Sequence, residues 1–146
     1  MNLLAGKITI ITGAGTGIGK GIARAFAREG AQLVLASRKA ERLEETRAEL
    51  EPQGVKVVVV PTDVTDETQV RRLFEATLKT FGRLDILINN AGRFDGGPLD
   101  ELSLETWQKV LAVNLTAPFL CSREAMARKG TVEIRPVIEV GGLPTV

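Results

Sequence analysis

Thr12-Gly13-Ala14-Gly15-Thr16-Gly17-Ile18-Gly19 joins a short β-branched run, Lys7–Thr12, to a helical pattern over Ile18–Glu29. The run before it is apolar and ends abruptly at glycine, which reads as a buried strand. The pattern after it places Ile18, Ile22, Phe26 and small alanines at helical spacing, with Gly30 positioned to stop the helix in a left-handed conformation. A glycine-rich turn from strand to helix brings backbone N–H groups and the positive end of a helix dipole to one point, an arrangement suited to a pyrophosphate. The plain alternative is a tight turn that holds no ligand. Spacing narrows the choice. A P-loop requires Gly at 14 and Ser or Thr after Lys20, where Ala14 and Gly21 stand. Strict G-x-G-x-x-G requires Gly at 18, where Ile18 stands. Gly13, Gly17 and Gly19 instead give G-x-x-x-G-x-G, with Gly15 and Thr16 inside the loop.

Outward from this junction, strands and helices alternate. Gln32–Ala36 is a second strand, Ala40–Leu50 a charged helix with a thin apolar stripe, and Val55–Val60 a valine-rich third strand. Asp66–Phe81 is a helix that Thr65 can cap, with Val70, Leu73, Phe74 and Leu78 as its core face. Leu84–Asn89 is a fourth strand. Ser103 caps a long helix from Leu104 to about Arg128, which Pro118 should kink or split. This alternation predicts an α/β fold, a doubly wound parallel sheet of the Rossmann type in strand order 3-2-1-4. Thr131–Ile134 leaves room for a short fifth strand. The expected organisation is a dinucleotide-binding half-domain over 1–128 and a divergent tail over 129–146. In such a sheet the reversal between strands 1 and 4 opens a crevice at their C-terminal ends, where Thr12-Gly13 meets Asn89-Asn90-Ala91-Gly92.

Composition excludes several functions. The 146 residues carry 19 basic and 18 acidic side chains, a net charge of +1, which argues against a nucleic-acid footprint or a polybasic membrane patch. There is no His, hence no Ser-His or Cys-His nucleophile pair and no His-ligated metal, and no metal site is expected. The single Cys, Cys121, permits no intrachain disulfide and fits a reducing, cytoplasmic setting, as a small core residue. No apolar stretch reaches membrane-spanning length. Past the second strand, where an NAD site places an acid, the chain reads Ser37-Arg38-Lys39 with no acid before Glu41. A guanidinium there suits a 2′-phosphate and favours NADP(H) over NAD(H).

Four stretches now stand in order: T-G-x-x-x-G-I-G at Thr12–Gly19, Asp63-Val64 after strand 3, Asn89-Asn90-Ala91-Gly92 after strand 4, and Trp107 with Val113-Asn114-Leu115-Thr116-Ala117-Pro118. With them the chain resembles the short-chain dehydrogenase/reductase family from residue 5 to about residue 128. The resemblance implies hydride transfer between a nicotinamide and a small alcohol or carbonyl. It implies that Gly13, Gly17, Ile18 and Gly19 line the phosphate and nicotinamide path, that Ser37 and Arg38 hold a 2′-phosphate, that Asp63 and Val64 hold the adenine, and that Asn90, Ala91 and Gly92 flank the adenosine. It implies that Asn114 keeps the helix open for a water in a proton relay; a polar residue at a helix kink beside Pro118 is the alternative.

The family also uses a Tyr as proton donor, a Lys four residues later and a Ser after strand 5. This sequence has no Tyr, and its last Ser is Ser122. General acid–base chemistry of that kind needs a titratable hydroxyl at the substrate. The expectation is a truncated cofactor-binding half, cut short or shifted in frame near residue 128 or else a short variant. It is an oxidoreductase by descent and inactive alone, taking substrate only where a complete site exists. A non-catalytic dinucleotide-binding module and a non-functional fragment remain as alternatives. A bare helix face at Leu111, Leu115 and Phe119 would favour self-association.

Overall fold

The computed structural model describes residues 2–128 and 133–136. Its elements are β1 (Ile8–Thr12), α1 (Gly17–Arg28), β2 (Gln32–Ser37), α2 (Ala40–Leu50), β3 (Val57–Pro61), α3 (Glu67–Phe81), β4 (Ile86–Asn89), α4 (Leu104–Leu111), α5 (Ala117–Ala127) and β5 (Glu133–Pro136). The strands form one parallel sheet in the order β3-β2-β1-β4-β5. The anticipated order 3-2-1-4 is present, and a fifth strand pairs with β4 through Ile86↔Glu133 to Asn89↔Pro136. Thr131 and Val132, the start of the strand anticipated there, lie outside the described residues.

Side chains alternate across the sheet, and each face has its own core. Ile10, Val34 and Leu87 point to one side, where they pack with Val70, Leu73 and Phe74 of α3 and Ala117, Leu120, Cys121 and Ala125 of α5. Ile11, Leu33, Leu35, Ile86 and Ile88 point to the other, against Ala23 and Ala27 of α1 and Leu43 and Leu50 of α2. Small residues let α1 lie close to the sheet: its buried face is Gly19, Ala23 and Ala27. Thr9, on the middle strand, is fully buried, and among the described residues its hydroxyl has no partner.

Several element ends differ from the sequence reading, each for a local reason. Asp66, not Thr65, caps α3: its carboxylate accepts from the N–H groups of Thr68 (2.8 Å) and Gln69 (3.1 Å). Thr65 is already taken, because its N–H and hydroxyl both donate to Asp63 Oδ1 at 2.9 and 2.7 Å. The long last helix is interrupted before Pro118. Residues Ala112–Thr116 form a π-helical turn in which the Ala117 N–H donates to Ala112 O, five residues back. Pro118 has no N–H to return to the carbonyl of Asn114, and the widened turn absorbs that mismatch between α4 and α5. Ser103 caps α4 as anticipated, accepting from the Thr106 N–H at 3.1 Å. Trp107 on α4 is 49% exposed.

Candidate functional site

Thr12 closes β1, and its side chain ties the first turn to the end of β4. The Thr12 hydroxyl donates to Ile88 O (3.3 Å) and accepts from the N–H groups of Asn90 and Ala91, both at 3.0 Å. The Asn90 amide answers by donating to Thr12 O (3.0 Å) and Gly13 O (3.3 Å). Four hydrogen bonds to Asn90-Ala91 and a fifth to Ile88 thus lock the glycine turn against the end of β4, at the point where strand order reverses. The fit leaves no space: a Cβ at Gly13 would stand 3.0 Å from Ala91 Cα, and one at Gly19 would stand 2.3 Å from Gly13 O and 2.4 Å from Asn90 Nδ2. Asn89 bonds elsewhere, donating to Ser122 Oγ on α5 at 3.2 Å.

A cleft of ≈ 920 Å³ opens above this junction. Of the residues selected from sequence it is lined by Gly13, Thr16, Gly17, Ile18, Ser37, Arg38, Asp63, Val64, Asn90, Ala91 and Gly92. Four separate segments of chain therefore meet at one surface. Gly15 and Gly19 are buried behind it. Gly15 lies where a Cβ would press on Arg42 Cβ (3.0 Å) and Ser37 Oγ (3.3 Å), so both glycines shape the turn by their lack of a side chain.

Asn114 does not line the cleft. It sits in the π-helical turn, and its amide clamps the backbone of Arg93 in both senses: Oδ1 accepts from the Arg93 N–H at 2.8 Å, and Nδ2 donates to Arg93 O at 2.7 Å. The segment that leaves Gly92 is thereby pinned to α4–α5. Thr62, Thr65, Arg93, Asp95, Lys109, Ala112 and Val113 also line the cleft, and sequence reasoning did not select them. Thr62 and Thr65 flank the chosen Asp63-Val64, and Arg93 follows the chosen Gly92, so proximity in sequence was the available signal.

The electrostatics suit an anionic ligand. Helix α1 begins after Thr16, whose side chain makes no capping bond, and no acid stands in its first turn. Its first N–H groups stay open at the positive end of the dipole, beside the cleft-lining Thr16, Gly17 and Ile18. In contrast, α3 and α4 have their N-termini closed by Asp66 and Ser103. Arg38 stands exposed at the end of β2. Asp63 keeps one carboxylate oxygen, Oδ1, on Thr65, while its N–H donates to Gln69 Oε1 at 2.9 Å. Its Oδ2 faces no donor among the described residues and suits an amino group. Ile18 is 73% exposed and offers an apolar edge to a flat ring. These residues fit a dinucleotide: open N–H groups for its pyrophosphate, and a carboxylate oxygen and Val64 for a base, with the Arg38 guanidinium beside them.

Other chemistry finds less support. Cys121 is buried, and burial first, then the charge of Glu124, pushes its thiol up to about 12, far from a reactive thiolate. Among the described residues no group of His, Cys, Asp and Glu could hold a metal ion, and no helix is long and apolar enough to cross a membrane.

Comparison with known proteins agrees with this geometry. The short chain dehydrogenase family model matches residues 7–132. An uncharacterized oxidoreductase of Thermotoga maritima is 39% identical over 131 residues, covering 88% of this chain and 51% of the relative. A short chain dehydrogenase/reductase of Colletotrichum higginsianum is 44% identical over 126 residues, covering 84% of this chain and 46% of the relative. Among solved structures, a short chain dehydrogenase from Mycobacterium smegmatis superposes with a TM-score of 0.84 at 40% identity, covering 87% of this chain and 54% of that one. An actinorhodin polyketide ketoreductase solved with NADPH gives 0.80 at 35% identity, covering 83% of this chain and 46% of that one. The chain spans about half the length of the curated relatives it matches. On the family match, the sheet order and the four converging motifs, this chain belongs to the short chain dehydrogenase family.

Proposed function

We propose that this chain holds NADP(H), in preference to NAD(H), as the cofactor-gripping part of an oxidoreductase site, and that these 146 residues alone move no proton. One observation carries the reading: an uncapped, acid-free helix N-terminus, Arg38 and the Asp63 carboxylate all face one cleft. The bound cofactor would supply the hydride. Thr16, Gly17 and Ile18 hold its pyrophosphate through backbone N–H groups, with Gly13, Gly15 and Gly19 shaping the turn. Ser37 and Arg38 hold the 2′-phosphate, Arg38 by charge-assisted bonds. Asp63 Oδ2 accepts from the adenine amino group, Val64 packs on the ring, and Asn90, Ala91 and Gly92 keep the opposite wall low enough for close approach. Asn114 positions that wall through Arg93. The sequence contains no Tyr, so the hydroxyl that would protonate a substrate oxygen has no candidate here. A small alcohol or carbonyl is the substrate class wherever a complete site exists. A cytoplasmic setting fits the lone buried thiol, and a second copy of the chain fits the exposed outer face of α4–α5.

Thermal unfolding tests the binding. At 100 times its Kd, NADPH stabilises a one-site protein by about 2.7 kcal/mol, so a clear rise in Tm is expected, larger than that with equal NADH. No rise at millimolar NADPH would overturn the reading. Sustained NADPH oxidation with a panel of aldehydes and ketones would overturn the statement about proton transfer.

A further inference from the structure

The wall of the cleft opposite Arg38 carries a second arginine. Arg93 lines the cleft together with Asp95, and its guanidinium forms an ion pair with the Asp95 carboxylate. Both side chains are about two-fifths exposed, at 40% and 39%, so the pair is accessible to a ligand and only partly desolvated. Three further facts separate it from an ordinary surface pair. The Arg93 backbone is held by both atoms of the Asn114 amide, which fixes where the side chain starts. Ala91, two residues earlier, is packed against Gly13 of the anion-binding turn. Two residues span at most roughly 7 Å, within the reach of an arginine side chain. Asp95 is also a carboxylate inside a cleft whose other features attract anions, so an entering phosphate repels the acid and attracts its partner. Lys109, the remaining cation on this wall, is engaged with Glu105 on its own helix.

We infer that Arg93 is a second phosphate contact of the site, held by Asp95 until the pyrophosphate of a dinucleotide replaces that carboxylate. The inference rests on the dinucleotide reading of the cleft. It adds a residue and an exchange of partners: the Arg93 guanidinium leaves one anion for another, and Asp95 turns to water. Arg93 thereby tunes affinity for the phosphates common to NADPH and NADH, whereas Arg38 discriminates between them.

The test is a fluorescence titration of the full chain with NADPH at low salt, on the wild type, Arg93→Gln, Asp95→Asn and the double variant. Arg93→Gln weakens binding about fivefold, the upper end for an exposed charge pair, and flattens the dependence of Kd on salt. Asp95→Asn tightens binding, and that gain shrinks in the Arg93→Gln background. The unliganded Tm of both single variants stays at the wild-type value. Should Arg93→Gln fail to fold, Asp95→Asn decides alone, because damage does not tighten binding. Wild-type affinity in Arg93→Gln, or weaker binding in Asp95→Asn, overturns the inference while leaving the dinucleotide site intact. No NADPH binding by the wild type overturns both.

Discussion

Gly17 and Gly19 lie two residues apart and are required for different reasons. Gly17 has a φ of +54° with open space around it, so the chain needs its conformational freedom and not its small size. Gly19 has ordinary helical geometry, but an added Cβ would collide with Gly13 O and Asn90 Nδ2. Left-handed strain costs about 1–2 kcal/mol for a non-glycine residue. Forced overpacking against backbone costs about 1–3 kcal/mol and sometimes more. Gly19→Ala is therefore the more damaging change: it separates the glycine turn from β4 and lowers stability by about 3 kcal/mol, against about 1 kcal/mol for Gly17→Ala. Urea unfolding of the two variants checks the order, and equal midpoints would contradict it. The residue scale is also where sequence reading was incomplete. The motif glycines, Asp63-Val64 and Asn90–Gly92 were legible because their spacing is fixed by the strand–turn–helix path. Asp95 and Lys109 were not, because nothing in a linear sequence says that a loop side chain after β4 and one on α4 reach the same cleft as the end of β2.

At the scale of elements, caps and ladder ends carry the fold. The helical spans were read closely from apolar periodicity, Ala40–Leu50 without change. β2 starts at Gln32 as the apolar run suggests, whereas β1, β3 and β4 start one or two residues later, and polar side chains take backbone groups at two of these starts. Gln32 Oε1 accepts from the Lys56 N–H at 2.6 Å, just before β3, and Asp85 Oδ2 accepts from the Ile8 N–H at 2.7 Å, where β1 begins. The π-helical turn was illegible for a different reason: Pro118 announces a disturbance, but whether the helix kinks, breaks or widens depends on what holds the neighbouring carbonyls. Asp85 gives an element-scale prediction. Partial burial pushes its carboxyl up, but the Ile8 N–H, the Arg83 bond and the charges of Arg83 and Lys7 outweigh that and hold it below the usual carboxylate value. A depressed folded-state pKa adds stability that is present above the unfolded value of about 3.9 and is lost as pH falls through the folded one. Asp85→Ala costs about 1.5–3 kcal/mol at pH 7, the range for a charged hydrogen bond left unmade. The gap to wild type should close as the pH is lowered below about 4. A gap that stays constant down to pH 2.5 would show that the carboxylate charge contributes nothing.

On the scale of the whole molecule, the two faces of the sheet are covered, while the outer side of α4 and α5 is not. Leu104, Trp107, Leu115, Phe119 and Met126 stand at near-helical spacing with between 49% and 74% of their surface exposed. Leu111, anticipated beside them, is half-buried. An apolar stripe of this length favours association, which a charge on it should oppose. Leu115→Glu with Phe119→Glu is expected to shift sedimentation toward a single small species and raise solubility, without moving the unfolding transition of the isolated chain. An unchanged distribution would place the contact elsewhere.

Arg38 is the residue through which the cleft above the glycine turn is proposed to grip a 2′-phosphorylated dinucleotide. Calorimetric titration of the wild type and Arg38→Ala, each with NADPH and with NADH, tests that grip directly. The prediction is a loss of NADPH affinity of about tenfold or more in the variant, as for a charge-assisted phosphate contact, with NADH affinity nearly unchanged. Equal losses for both nucleotides, or none for either, would contradict it.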